Sequence, residues 1–213
     1  MMPLSLADTD AFYPPQLRER LEGGAPQQLT VLGNLKTLAL AKTALLCSAR
    51  CPGNASLAAH DQAARWRDEG RCVIGEFHSP VEKECLRILL RGRQPVTLCP
   101  ARGLEGMRLP ADWKKPLAEG RLLLLSFFDD GIRRATANLA VRRNAYVAGL
   151  ADRILIAHAG KGSKTEGLCR EALARDKLVF TLDSPDNAHL VELGAVPVRA
   201  DNPVPLTNPE VLR

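Results

Sequence analysis

Between residues 142 and 182 a short apolar run, a glycine-rich turn, a helical pattern and a second apolar run follow one another, and that order leaves few folds open. Ile154, Leu155, Ile156 and Ala157 form the first run, and Leu178-Val179-Phe180-Thr181-Leu182 the second. Between them lie His158-Ala159-Gly160-Lys161-Gly162-Ser163-Lys164-Thr165 and a helical pattern that continues to Arg175. Buried strands joined through a helix pair in parallel by a right-handed crossover. The turn then sits at the carboxyl edge of a sheet, where the next helix begins with free N–H groups and the positive end of its dipole. Gly160 and Gly162 allow close backbone approach, Ser163 and Thr165 add hydroxyls, and Lys161 and Lys164 add charge. An anion fits there, phosphate above all.

The type of cradle stays open. Gly160-x-Gly162-x-x-Thr165 lacks the third glycine of a dinucleotide fingerprint and comes late in the chain. A P-loop is excluded because Gly162, not Ser or Thr, follows Lys161. An ordinary βα turn with solvated lysines is the alternative reading.

With 213 residues, 46% of them hydrophobic and 25% charged, the chain suits one α/β domain with short appendages. Its formal charge of +5 is compatible with an acidic partner without requiring one. The six cysteines include no C-x-x-C pair, and Cys47, Cys72 and Cys99 sit in or beside strand-like runs, as reduced core thiols of a cytoplasmic protein would. No metal or cofactor is expected from them. The N-terminal MMPLSLADTD has no secretory pattern, and no apolar run approaches the ~20 residues of a membrane helix.

Residues 1–41 read as a helical N-terminal extension, with a short helix after Tyr13-Pro14-Pro15 and the sheet beginning at Thr43. After the strand at 43–47, Ser48 and Arg50 stand at a strand's carboxyl end, ahead of a helix that Asn54 would cap and Gly70 would close. Gly75 ends the next strand, His78 follows at the same rim, and Ser79 with Glu82 forms a capping box. Further on, Trp113 beside Lys114 and Lys115 reads as a base-stacking platform or as a half-buried Trp on a helix. Residues 131–150 form a basic amphipathic helix with a break expected near Arg143-Asn144, and the tail from Asp201 reads as extended.

These pieces together resemble the DprA/Smf family of Rossmann-like proteins, within the wider SLOG/LOG-like superfamily. Tyr13-Pro14-Pro15-Gln16-Leu17 resembles its YP-x-x-L segment, Leu32-Gly33-Asn34 the segment before its first core strand, and Leu45 to Arg50 its strand and G-S-R loop. Arg143-Asn144 through Gly149-Leu150 is similar to its RNR-x-I-x-G-L helix, and Gly162-Ser163-Lys164-Thr165 stands at its S-G-S-L-x-T turn. Two departures are visible: Cys47 replaces the G-S-R glycine, and residues 75–81 lack the second glycine and the aspartate of G-x-x-x-G-I-D.

What the resemblance implies is a three-layer αβα Rossmann-like domain over residues 42–200, between the extension and a tail at 201–213. Implied with it are a homodimer, single-stranded DNA as ligand and a recombinase as partner. The binding rim is then Ser48, Arg50, Gly75, His78, Lys114, Arg143, Asn144, Gly160, Gly162, Ser163, Lys164 and Thr165, with Phe77 or Trp113 stacking a base. The alternatives are a nucleotide-binding sensor and a LOG-like nucleotide phosphoribohydrolase, for which Glu76, His78 and Glu166 are the acid/base candidates at the rim.

Overall fold

Leu122 to Leu125 and Ile154 to Ala157 are all fully buried, so both faces of the strands they form must be covered. The computed structural model, which describes residues 2–21, 23–199 and 204–205, shows how. Nine strands form one sheet among the described residues: β1 (Leu4–Ala7), β2 (Gln28–Leu32), β3 (Thr43–Cys47), β4 (Val73–Gly75), β5 (Val96–Leu98), β6 (Leu122–Ser126), β7 (Arg153–His158), β8 (Leu178–Leu182) and β9 (Val196–Val198). Helices α1 (Pro15–Arg20), α5 (Ala137–Leu150) and α6 (Lys164–Leu173) contribute to a core on one face of the sheet. α2 (Gly53–Glu69), α3 (Pro80–Leu89) and α4 (Ala111–Ala118) contribute to a second core on the other. A short α7 (Ala188–Glu192) completes the layers expected from the sequence.

Strand order is β1-β2-β6-β5-β4-β3-β7-β8-β9, parallel from β6 to β9. From β3 the chain steps outward through β4 and β5 to β6. It then returns through α5 to β7, on β3's other side. Strand order therefore reverses between β3 and β7, and in open α/β sheets ligands bind at the carboxyl ends on either side of such a reversal.

Several local expectations hold. Ser79 accepts a hydrogen bond from the Glu82 amide and Glu82 answers on the cap backbone, the full capping box. Gly70, in the left-handed region at φ 73°, closes α2. Others need correcting. α2 begins at Gly53 with Pro52 at its cap and not with Asn54. α5 starts at Ala137 under the Thr136 side chain and runs unbroken through Arg143-Asn144, because Arg143 folds inward instead of disrupting the helix. The sheet also begins before Thr43. β1 and β2 pair antiparallel with each other and β2 with β6, Leu32 opposite Leu124, so the N-terminal segment carries two strands besides its helix. Of the tail expected to be extended, all but Val204 and Pro205 lies outside the described residues. Their carbonyls accept from Arg71 at 2.8 and 2.9 Å.

At the sheet's amino edge, the last carbonyls of α5 are held by two cations. Arg20 donates to the Gly149 and Ala151 oxygens at 3.2 and 3.0 Å, and Lys177 Nζ donates to the Ala151 oxygen as well. Burial first, then the Arg20 charge, pushes the Lys177 ammonium down to about 8, with Asp152 opposing. A folded value below the unfolded one means that the unfolded chain binds more protons between pH ~8 and ~10.5, so folding stability rises with pH across that window. Lys177→Met removes this rise, which parallel melting curves of wild type and variant between pH 7.5 and 10.5 would register.

Candidate nucleic-acid interface

Strand β3 ends one residue before Ser48, and β7 two residues before Gly160, so the fold delivers both loops to the reversal point. They interlock there. The Ser48 amide donates to the His158 carbonyl at 2.9 Å, the Gly160 amide donates to Ser48 Oγ at 3.3 Å, and Ser48 Oγ lies 3.5 Å from Ser163 Oγ. Gly162, at φ 70°, turns the chain into α6, where the Ser163 hydroxyl caps the Glu166 amide. A side chain at Gly160 or Gly162 would meet nothing within 4 Å, which leaves open space in front of the turn. Arg50, Lys161 and Lys164 are exposed around it and Thr165 is half-buried. Two hydroxyls, a glycine turn and three exposed cations thus stand together at this point.

Glu166, weighed from sequence as a catalytic acid, is engaged within the turn and its helix. One of its oxygens accepts from the Gly162 amide and the other pairs with Arg170 at 2.9 Å. It acts as a helix cap.

The remaining candidates gather next door, at the ends of β4 and β5. Glu82 joins the two regions, a role that the capping-box motif alone does not reveal. This carboxylate is fully buried and accepts from the amides of Cys47 at 2.9 Å, His78 at 3.0 Å and Ser79 at 2.9 Å. Burial pushes its pKa up while the amide donors pull it back. One buried side chain therefore fixes the loop after β3 relative to the loop after β4. It directly follows Val81, which stands where the resembled pattern has its aspartate.

The loop after β4 bends sharply. Phe77 sits at φ 51°, a left-handed conformation that costs a non-glycine residue about 1–2 kcal/mol, and its ring is buried, not free to stack. Beside it opens a cleft of about 730 Å3, lined among others by Glu76, His78, Arg102, Met107, Trp113 and Arg143. His78 is exposed at its edge.

Arg143 was expected on the rim as a phosphate contact. The structure places it inside, 2% exposed, with Nη1 donating to the Cys99 carbonyl at 3.0 Å, Nη2 paired with Glu76, and Nε donating to Asn144 Oδ1 at 2.8 Å. Burial lowers its pKa to about 10, still far above neutrality. The guanidinium and Glu76 neutralise one another at the cleft, and Asn144 holds the guanidinium in place. The signal was in the helix period: Arg143, Tyr146, Val147 and Leu150 share one buried face of α5. Gly75 is buried at the end of β4, with Leu45 O and the Phe77 ring within 3.4 Å of any added Cβ. Lys114 is exposed on α4 and does not line the cleft, whereas its neighbour Trp113 is half-buried and does.

Among the described residues no group of three or more His, Cys, Asp or Glu side chains could hold a metal ion, and no helix is long and apolar enough to cross a membrane. The cysteines are free, and burial pushes the Cys72, Cys85 and Cys169 thiols up to about 11, 12 and 11.

Among solved structures, DNA processing protein A of Streptococcus pneumoniae superposes with a TM-score of 0.78 at 22% identity, over 92% of this chain and 70% of that one. The Helicobacter pylori protein of the same name, described for its single-stranded DNA binding mode, gives 0.73 at 17% identity over 92% and 90%. A molybdenum cofactor binding protein of Rippkaea orientalis gives 0.53 at 10% identity over 76% and 91%, a likeness of fold alone. A search of curated proteins finds no match. The family model of DNA recombination-mediator protein A matches residues 5–195, and the chain belongs to that family.

Proposed function

We propose that this protein binds single-stranded DNA, with the sugar-phosphate backbone crossing the carboxyl edge where β3 and β7 lie side by side. The observation that carries the reading is the meeting of the Ser48 and Ser163 hydroxyls at that point, Ser48 Oγ accepting from the Gly160 amide, with exposed Arg50, Lys161 and Lys164 around them. The hydroxyl donors fix phosphate position, and the cations supply charge without selecting sequence. Family membership and the binding described for the Helicobacter pylori relative support the same ligand. A nucleotide phosphate would meet the same donors, whereas the capping engagement of Glu166 speaks against nucleotide hydrolysis.

Fluorescence anisotropy with a labelled oligonucleotide across a salt series tests the reading. Affinity is expected to fall steeply with salt, and Arg50→Glu to weaken binding about tenfold or more while flattening the slope by about one. Salt-independent binding would count against it. The proposal includes a cytoplasmic homodimer working beside a recombinase. Light scattering at twice the chain mass, and co-elution with the recombinase on a DNA strand, are its checks.

A further inference from the structure

The cleft beside the cradle has a composition that phosphate binding does not call for. Its walls include Phe77, Leu86, Leu98, Pro100, Met107 and Trp113, which form an apolar slot with one half-buried aromatic face. A carboxylate also belongs to its lining. The Glu76 side chain is 16% exposed, and Arg143, 3% exposed, is paired with its Oε2. A carboxylate has about four acceptor sites, so one guanidinium contact leaves acceptors for a ligand. That pairing also cancels the charge that would otherwise repel a DNA strand. Lys83 and Arg102 on the lining outnumber Asp112 and keep the cleft attractive to one, while Arg87 is paired with Glu84 at 2.9 Å.

Apolar walls, an aromatic face and a neutralised acceptor suit a nucleobase whose edge carries N–H donors. Guanine meets this best, because its N1–H and N2–H lie side by side. Thymine offers a single N3–H flanked by two carbonyl oxygens, which face a carboxylate badly. We infer that the cleft is a base-reading subsite that takes one guanine of the bound strand, stacked on Trp113 and read by Glu76. The inference rests on the single-strand reading above and adds to it a preference that the cradle cannot supply.

The test compares an all-thymine oligonucleotide with the same oligonucleotide carrying one guanine, using the intact protein and following both anisotropy and tryptophan emission. Trp66 is fully buried, so quenching by a bound base reports Trp113. The guanine strand is expected to bind about tenfold more tightly, as for a bidentate base contact, and to quench, whereas the thymine strand binds with little quenching. Substituting N1-methylguanine, which lacks the N1–H, should abolish the preference without any change to the protein. Trp113→Ala should remove the quenching and weaken only the guanine strand. Glu76→Gln should equalise the two strands, and the methylated base provides the same information if that variant fails to fold. Equal affinities and equal quenching, or guanine preference without quenching, would overturn the subsite while leaving the cradle intact. Failure of both strands to bind would remove the single-strand reading itself.

Discussion

Replacing Glu82 by alanine is expected to lower the melting temperature by about 6–12 °C and to weaken binding of single-stranded DNA at the same time. The carboxylate takes three backbone N–H groups, from Cys47, His78 and Ser79, and is itself fully buried. Truncation strands those donors, at about 1–3 kcal/mol for each buried one, against which the removal of a desolvated charge gives something back. A net loss of about 3 kcal/mol corresponds to that melting shift in a chain of this size. Glu82→Gln keeps one acceptor and turns an amide N–H towards the others, so it should fall between alanine and wild type. The functional part of the prediction is separable. Measured well below the melting range, Glu82→Ala should still bind DNA more weakly, because the loops carrying Ser48 and His78 no longer share an anchor. A variant that melts within 2 °C of wild type, or one that melts early but binds normally when cold, would defeat the argument.

Gly33→Ala should cost as much or more, about 3–5 kcal/mol, though it touches no residue of the site. Gly33 sits at φ 129°, where a side chain is strained whatever the space. An added Cβ would lie 2.6 Å from the Leu122 carbonyl oxygen and 3.3 Å from Leu123 Cα. Those are backbone atoms of β6 and cannot swing aside as a side chain would. Either β2 is pushed off β6 or the central strands deform, and urea denaturation should show a lower midpoint. Gly53→Ala is the matched control, since no heavy atom lies within 4 Å of its Cβ position and its φ is not in the left-handed region. A Gly33 variant no less stable than this control would disprove the steric account.

Glu82 and Arg143 show what the sequence could and could not convey. Strands β3, β4, β7 and β8 were legible because, largely buried, they appear as mainly apolar runs between turn residues. The turn at 160–165 was legible because its glycines, serine and lysines are contiguous, whereas the contact of Ser48 with Ser163 spans 115 residues. Glu82 was legible only as a local cap for α3; its bond to the Cys47 amide spans 35 residues and leaves no local trace. Arg143 stands in a run with Arg142 and was read as rim charge. Its neighbour does lie outside, with its guanidinium 5.7 Å from the Phe128 ring, while Arg143 itself lies on the buried face of the same helix. Residue type suggested solvent, and helical phase placed it inside.

The antiparallel edge has a consequence for how the chain comes to be made. β2 finds its second partner only when β6 exists, a closure over roughly ninety residues whose entropic cost must be met before the contact gives anything back. On a ribosome, Leu29 and Val31 are therefore synthesised long before β6 and α5 can complete their core, and the β1–β2 pair, joined through α1, must wait as a two-stranded ribbon, marginal on its own. Nascent chains stalled before residue 122 should stay sensitive to protease in this segment, and those stalled after the whole sheet has emerged should resist.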